Sequence, residues 1–328
     1  TATVIARLMD FFIEPLAAML SPVAPRRLHA GRRACQALAE IALARTWTDV
    51  NLARRILISQ WRSALLLDLV RQLSESQLQD FVDAQVHSEG IRTLRSALQA
   101  QRPLIFASPH YGAYVLGCLA LARQLRARRH FALLYQHDTR NAGLKALFAR
   151  AGARAGFLSG VGGFVRALQL LERGGYVATM PDVFNDVTDT LAIPFFGRWL
   201  RVAAGTAFLA RRTGALIVPG YVVAERGLTV RIEVATPIDA RDHASGDERQ
   251  DIFALSCQLF AEFERGLRRT PDHWLHWERL PRVSTPLELP RTSQAQDLAN
   301  TLARRCRAFP GLLRRVPELA PLVASARV

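Results

Sequence analysis

His110 is the residue whose surroundings best suit proton transfer. It sits in the run Arg102-Pro103-Leu104-Ile105-Phe106-Ala107-Ser108-Pro109-His110-Tyr111-Gly112-Ala113-Tyr114-Val115-Leu116. The apolar stretch Leu104–Ala107 has the length of a buried strand, Ser108-Pro109 ends it, and Gly112 opens an apolar helical segment reaching Arg126. A histidine on such a strand-to-helix turn lies at the C-terminal edge of a sheet, where open α/β folds bind ligands. The following helix start offers unpaired N–H groups to a developing negative charge. The chemistry this suits is general-base catalysis with an oxyanion held nearby. Eight histidines occur in the chain, so position alone leaves His110 a candidate; the order of the later segments is what strengthens it.

The second group is Asp182, in Met180-Pro181-Asp182-Val183-Phe184-Asn185-Asp186. It lies just past a buried apolar run, Tyr176–Met180, and is level with His110 if the two strands are neighbours. A helix cap or turn residue is its structural alternative. Further on, Ile193-Pro194-Phe195-Phe196-Gly197-Arg198 leads to the helical Gly205–Arg212 and the buried strand from Leu216. Phe195 and Phe196 read as core or as the wall of an acyl pocket.

Composition narrows the field. A chain of 328 residues, half of them hydrophobic, buries one large core or one core with an appended subdomain. The 43 Lys and Arg exceed the 28 Asp and Glu by 15, and Lys145 is the only lysine. Such an excess attracts anionic partners, and guanidinium grips phosphate and carboxylate in bidentate fashion. The arginines are spread along the chain with no recognition motif, which argues against a nucleic-acid binder. Cys35, Cys118, Cys257 and Cys306 lie far apart and read as small buried hydrophobes of a reducing compartment. No His/Cys spacing suits zinc, no phosphate-binding Gly-Lys loop occurs, and Gly160-Val161-Gly162-Gly163 lacks dinucleotide spacing. Neither a metal nor an organic cofactor is expected.

The elements that must carry these groups alternate. The pattern is helical over 1–100, in Arg32–Leu43, Thr48–Leu69 and Glu75–Leu98, with Asp49 and Ser76 as caps. Thr1–Leu20 forms an amphipathic helix, for a bilayer surface or for the core, and carries too many charges to span a membrane. Strands are expected at Leu104–Ala107, Phe131–Tyr135, Ala155–Phe157, Tyr176–Met180, Leu191–Ile193, Leu216–Val223 and Thr229–Val234. Helices fill Gly112–Arg126, Asn141–Arg150, Gly163–Arg173, Gly205–Arg212 and Glu248–Arg268. The fold class is α/β: a mixed, largely parallel sheet flanked by helices, with the last two strands as an antiparallel edge. Residues 1–100 form a helical lead-in, 101–280 the α/β domain, and 281–328 a Pro-punctuated linker and basic helical tail.

Taken in order, the His110 turn, the Pro181-Asp182 loop, Pro194-Phe195-Phe196-Gly197-Arg198, Leu209-Ala210-Arg211-Arg212-Thr213-Gly214-Ala215 and Pro271-Asp272-His273-Trp274-Leu275-His276-Trp277 resemble one family. It is the lipid A biosynthesis (lauroyl/myristoyl) acyltransferases, of the lysophospholipid-acyltransferase-like superfamily. The resemblance covers about residues 104–280 and implies acyl transfer, without metal, from an acyl carrier protein or acyl-CoA to a hydroxyl on a membrane lipid. It also implies a cytoplasmic protein, peripheral on the anionic inner membrane.

The family pattern has a carboxylate after four intervening residues, and that place holds Val115. Three readings follow. Another acid, Asp182 first and Asp138 second, partners His110 from a different strand. Or the acceptor is a different one: an amine, which needs less help and gives an amide, or a hydroxyl other than that of lipid A. Or acyl transfer has been lost and a lipid- or carrier-binding protein remains. On the catalytic readings His110 is the base, Asp182 orients it or the acceptor, and amides at the start of the Gly112 helix hold the oxyanion. Tyr111, Gly112, Tyr114, Phe195 and Phe196 line the site, His137 is a reserve base, and Asp138 and Arg140 belong to a polar and basic block. Arg198, Arg201, Arg211 and Arg212 are candidates for the donor's phosphate or an acidic carrier.

Overall fold

A computed structural model describes residues 52–324, apart from 90, 126–129, 136–142, 184–189, 287–299, 301, 302, 305, 308–310 and 316–319. The expected helices over Thr1–Leu20 and Arg32–Leu43, the Asp49 cap, Cys35, His137, Asp138 and Arg140 lie outside the described residues.

The chain enters with α1 (Leu52–Gln72) and α2 (Glu75–Gln85), then β1 (Val86–Glu89) and α3 (Ile91–Gln99). The cap of α2 is Ser74 rather than Ser76, because Gln77 completes a reciprocal capping box with it. β1 interrupts the helix expected over Glu75–Leu98. There follow β2 (Leu104–Ala107), α4 (Tyr114–Leu125), β3 (Phe131–Leu134), α5 (Leu144–Arg150), β4 (Gly156–Leu158), α6 (Gly160–Glu172) and β5 (Tyr176–Thr179). A hairpin of β6 (Thr190–Phe195) and β7 (Arg198–Ala203) precedes α7 (Gly205–Thr213), β8 (Leu216–Ala224), β9 (Val230–Val234) and β10 (Ile238–Asp239). α8 (Glu248–Arg269), α9 (Leu280–Val283) and β11 (Ser284–Pro286) end the main body, with α10 (Leu312–Arg315) and α11 (Ala320–Ala324) in the tail. No helix among the described residues is long and apolar enough to cross a membrane.

Eight strands form the main sheet in the order β1-β9-β8-β2-β5-β3-β4, with β10 also pairing β8. Pairing is parallel except at β8–β9 and β8–β10. The fold is thus the expected α/β class with a mixed, largely parallel sheet. One detail differs: β8 and β9 are antiparallel as expected but are not the edge, because β1 pairs parallel beyond β9.

Layering follows from alternation along the central strands. In β2, Leu104 and Phe106 join one apolar cluster while Ile105 and Ala107 join the other. β5 repeats this with Tyr176 and Ala178 against Val177. Strands buried on both faces read as continuous apolar runs, which is why these two stand out in the sequence. Helices α6, α7 and α8 cover one face; α2, α3, α4 and α5 cover the other.

A second, three-stranded antiparallel sheet runs β11-β7-β6. Its hairpin turn is Phe196-Gly197, with φ of +50° and +66°, a two-residue turn of the hand that matches strand twist. Phe196 holds this unfavourable conformation while its N–H donates to the buried Glu264 Oε2 at 2.7 Å. β11 falls in the stretch read as linker; Pro286 there suits a strand that is paired on one side.

Candidate active site

β2 and β5 are adjacent and parallel, with Ala107 opposite Thr179. His110 and Asp182 each lie three residues past that pair, so equal register brings them to one point at the strands' C-terminal rim. The Ser108 N–H donates to the Thr179 carbonyl at 3.1 Å and carries the ladder one step further. His110 Nδ1 then stands 2.7 Å from Asp182 Oδ1, and the His110 N–H donates to Oδ2 at 2.8 Å. The carboxylate side chain is 1% exposed and the imidazole 21%. The acid is therefore sealed while the ring stays reachable.

A segment distant in sequence closes the site. Tyr111 bridges to Trp274 in antiparallel fashion, with Gly112 N–H donating to the His273 carbonyl at 2.9 Å and Leu275 N–H to the His110 carbonyl at 3.0 Å. Below it the buried Tyr111 hydroxyl donates to the Thr270 carbonyl at 2.5 Å. Burial raises that phenol's pKa well above its ordinary value. The Trp274 Nε1–H donates to Asp182 Oδ2 at 2.9 Å. Burial acts to raise the Asp182 carboxyl, but the facing His110 ring with its hydrogen bond, nearby His276 and the Trp274 N–H outweigh it and hold it at about 2. His276 completes the cluster, its ring centroid 4.7 Å from that of His110. Burial pushes the His276 imidazole down to about 4, against the pull of Asp182 and with the push of His110.

Gly112 is required by geometry. Its φ is +53°, and a Cβ there would lie 2.1 Å from the Val222 carbonyl oxygen. Helix α4 accordingly starts at Tyr114 rather than Gly112, and the Gly112 N–H is committed to His273 instead of an oxyanion. We expect Gly112→Ala to cost at least about 2 kcal/mol, from positive-φ strain plus overlap, read as a lower midpoint in denaturant unfolding. Trp274→Phe removes one of the three polar hydrogens that the described residues aim at Asp182 and should cost about 1–3 kcal/mol by the same measurement.

The other residues singled out from sequence divide. Tyr114 stands edge-on to His110 at 5.3 Å between centroids. Val115 packs on the apolar cluster beneath α4. Phe195 and Phe196 are each 2% exposed; Phe195 packs on Trp274, and Phe196 on Trp277. Arg198 is buried with its Nε donating to Ser284 Oγ at 2.7 Å. Arg201 donates to Thr190, Arg211 to the fully buried Asp251 at 2.6 Å, and Arg212 pairs with Glu248. The structure brings His110, Asp182, Tyr111, Gly112 and Tyr114 together, whereas these four arginines are held by partners elsewhere. Sequence reading did not single out Trp274 or His276 as site residues. Their only signal was membership of the 271–277 motif.

Two donors fix the orientation of the carboxylate, and the carboxylate fixes one nitrogen of a reachable imidazole. That leaves Nε2 as the nitrogen able to accept a proton, the division of labour in an acid–imidazole relay. The bacterial lipid A biosynthesis acyltransferase family matches residues 32–280 of the chain. No curated protein matches it.

Proposed function

The chain belongs to the bacterial lipid A biosynthesis acyltransferase family, and on that premise we propose that His110 is the general base that passes an acyl group from a thioester donor to a hydroxyl acceptor. Nε2 takes the acceptor's O–H proton as its oxygen bonds to the thioester carbonyl carbon. The tetrahedral intermediate then expels the sulfur, and the imidazolium returns the proton to the departing thiolate. Asp182 holds Nδ1–H and stabilises the imidazolium. First-turn amides of α4 beyond Gly112 receive the oxyanion.

The observation that carries this reading is the 2.7 Å contact between His110 Nδ1 and a carboxylate that is itself 1% exposed. A neutral amine attacks a thioester with little help, so an amine acceptor suits a base that lacks an acid partner. With Asp182 beside it, the base is equipped for the harder hydroxyl. The donor is an acyl carrier protein or acyl-CoA, both anionic. The net charge of +15 supports such donors, and a position against anionic lipid at the cytoplasmic face of the inner membrane.

The test is intact-mass detection of product from an acyl thioester offered matched alcohol and amine acceptors. We expect the alcohol to be acylated. Acylation of the amine alone would overturn the proposal.

A further inference from the structure

We propose that His110, Asp182 and His276 form a binding site for a divalent transition-metal ion, zinc foremost, that shuts off the base by occupying it. Each of the three residues offers one ligand atom, and these atoms all lie within 4.8 Å of one another. Two imidazoles and one carboxylate are the donor set of zinc and its first-row neighbours. Magnesium and calcium prefer oxygen alone. Linear spacing hides this set, because its members come from the ends of β2 and β5 and from the 271–277 segment.

The geometry is near to what an ion needs. Ligand atoms about 2.1 Å from a tetrahedral zinc lie roughly 3.4 Å apart. His110 Nδ1 and Asp182 Oδ1 stand 2.7 Å apart across a single proton and need only a slight spread to admit an ion. The widest pair, within 4.8 Å, must close by up to about 1.4 Å, which asks the half-buried His276 ring to turn toward the other two. The second carboxylate oxygen is already braced by the His110 N–H and the Trp274 Nε1–H, the kind of outer support that orients metal ligands. Binding takes the Nδ1 lone pair: the proton shared with Asp182 moves to Nε2, the nitrogen that would otherwise accept the acceptor's proton, no electrons move, and a place remains on the ion for water or for the thiol released from the donor. Each imidazole must be neutral and the carboxylate ionised. Ligation therefore competes with protons and strengthens as pH rises.

Inhibition rests on His110 being the base; the binding itself does not. The chelator-treated full chain is titrated with cobalt(II), whose visible d–d absorption reports imidazole and carboxylate ligation, and then with zinc. We expect a band saturating at one ion per chain, displaced by zinc. His276→Gln should weaken binding roughly tenfold or more and raise by the same factor the zinc concentration that halves acyl transfer, relative to that variant's own rate in chelator. No band, or a band unchanged by His276→Gln, overturns the proposal. If that variant fails to fold, imidazole NMR of the wild-type chain decides: zinc must shift His110 and His276, and shifts confined to other histidines overturn it. Binding without inhibition would uphold the site and count against His110 as the base.

Discussion

Replacing His110 with alanine is expected to lower acyl-transfer turnover by about 10²–10⁴-fold, the usual worth of a positioned general base. The loss should fall on kcat, because the ring acts on the proton in flight rather than on the body of either substrate. Folding should survive. The backbone N–H of residue 110 and the Trp274 indole still donate to Asp182, so the buried carboxylate keeps two of the three donors it has among the described residues. The cost should be about 1–3 kcal/mol. Intact-mass kinetics on the purified variant, with circular dichroism as the folding control, reads both quantities. A variant that turns over within a few-fold of wild type would remove His110 from the chemistry. A variant that turns over nothing but binds donor as before would separate catalysis from binding, and a wild-type chain that itself never turns over would favour a lipid- or carrier-binding protein.

The second large effect is that of Asp182→Asn, expected to cost about 10²–10⁴-fold, in line with the loss when a related relay is given an amide in place of its acid. The reason lies in the donor count. Two N–H groups aim at Oδ2, and one ring nitrogen faces Oδ1. An amide has a single acceptor oxygen, which the His110 N–H and Trp274 Nε1–H claim together. Its NH₂ then faces Nδ1 and turns that nitrogen into an acceptor. The ring proton moves to Nε2, the nitrogen that should receive the acceptor's proton.

The same substitution has a pH signature. Asp182 is held at about 2, below its ordinary 3.8. A depressed carboxyl stabilises the fold above its unfolded pKa and loses that contribution as pH falls through the folded one. The stability advantage of wild type over Asp182→Asn should therefore shrink between about pH 4 and about pH 2, read by chemical denaturation at each pH.

The two central strands were legible because both are buried on both faces, leaving apolar runs bounded by Pro and Gly. Their adjacency was not legible, and the meeting of His110 with Asp182 depended on it. Register made the match: equal offsets from a paired Ala107 and Thr179 bring two residues 72 positions apart to one point. β1 escaped notice because four residues, Val86-His87-Ser88-Glu89, carry too little periodicity to break a helical reading of their neighbours. β7 did carry a period of two in its burial, but it follows a turn in which Phe196, a non-glycine residue, adopts positive φ. The reading of Gly112 as a helix start failed because the residue serves a close approach to Val222 instead. The arginines show the limit of charge arguments: a basic excess describes the surface, while Arg198 and Arg211 reach Ser284 and Asp251 within the fold. Trp274 and His276 could not be assigned from spacing, since nothing along the chain links them to a turn more than 160 residues earlier.

The most direct measurement of the pairing is the turnover of the double variant His110→Ala, Asp182→Asn. If the acid acts only through the imidazole, the double variant is no slower than His110→Ala alone, as expected of groups that work as one unit. If the two losses multiply, Asp182 does something independent of the ring, and the acid–imidazole relay at the centre of this account is wrong.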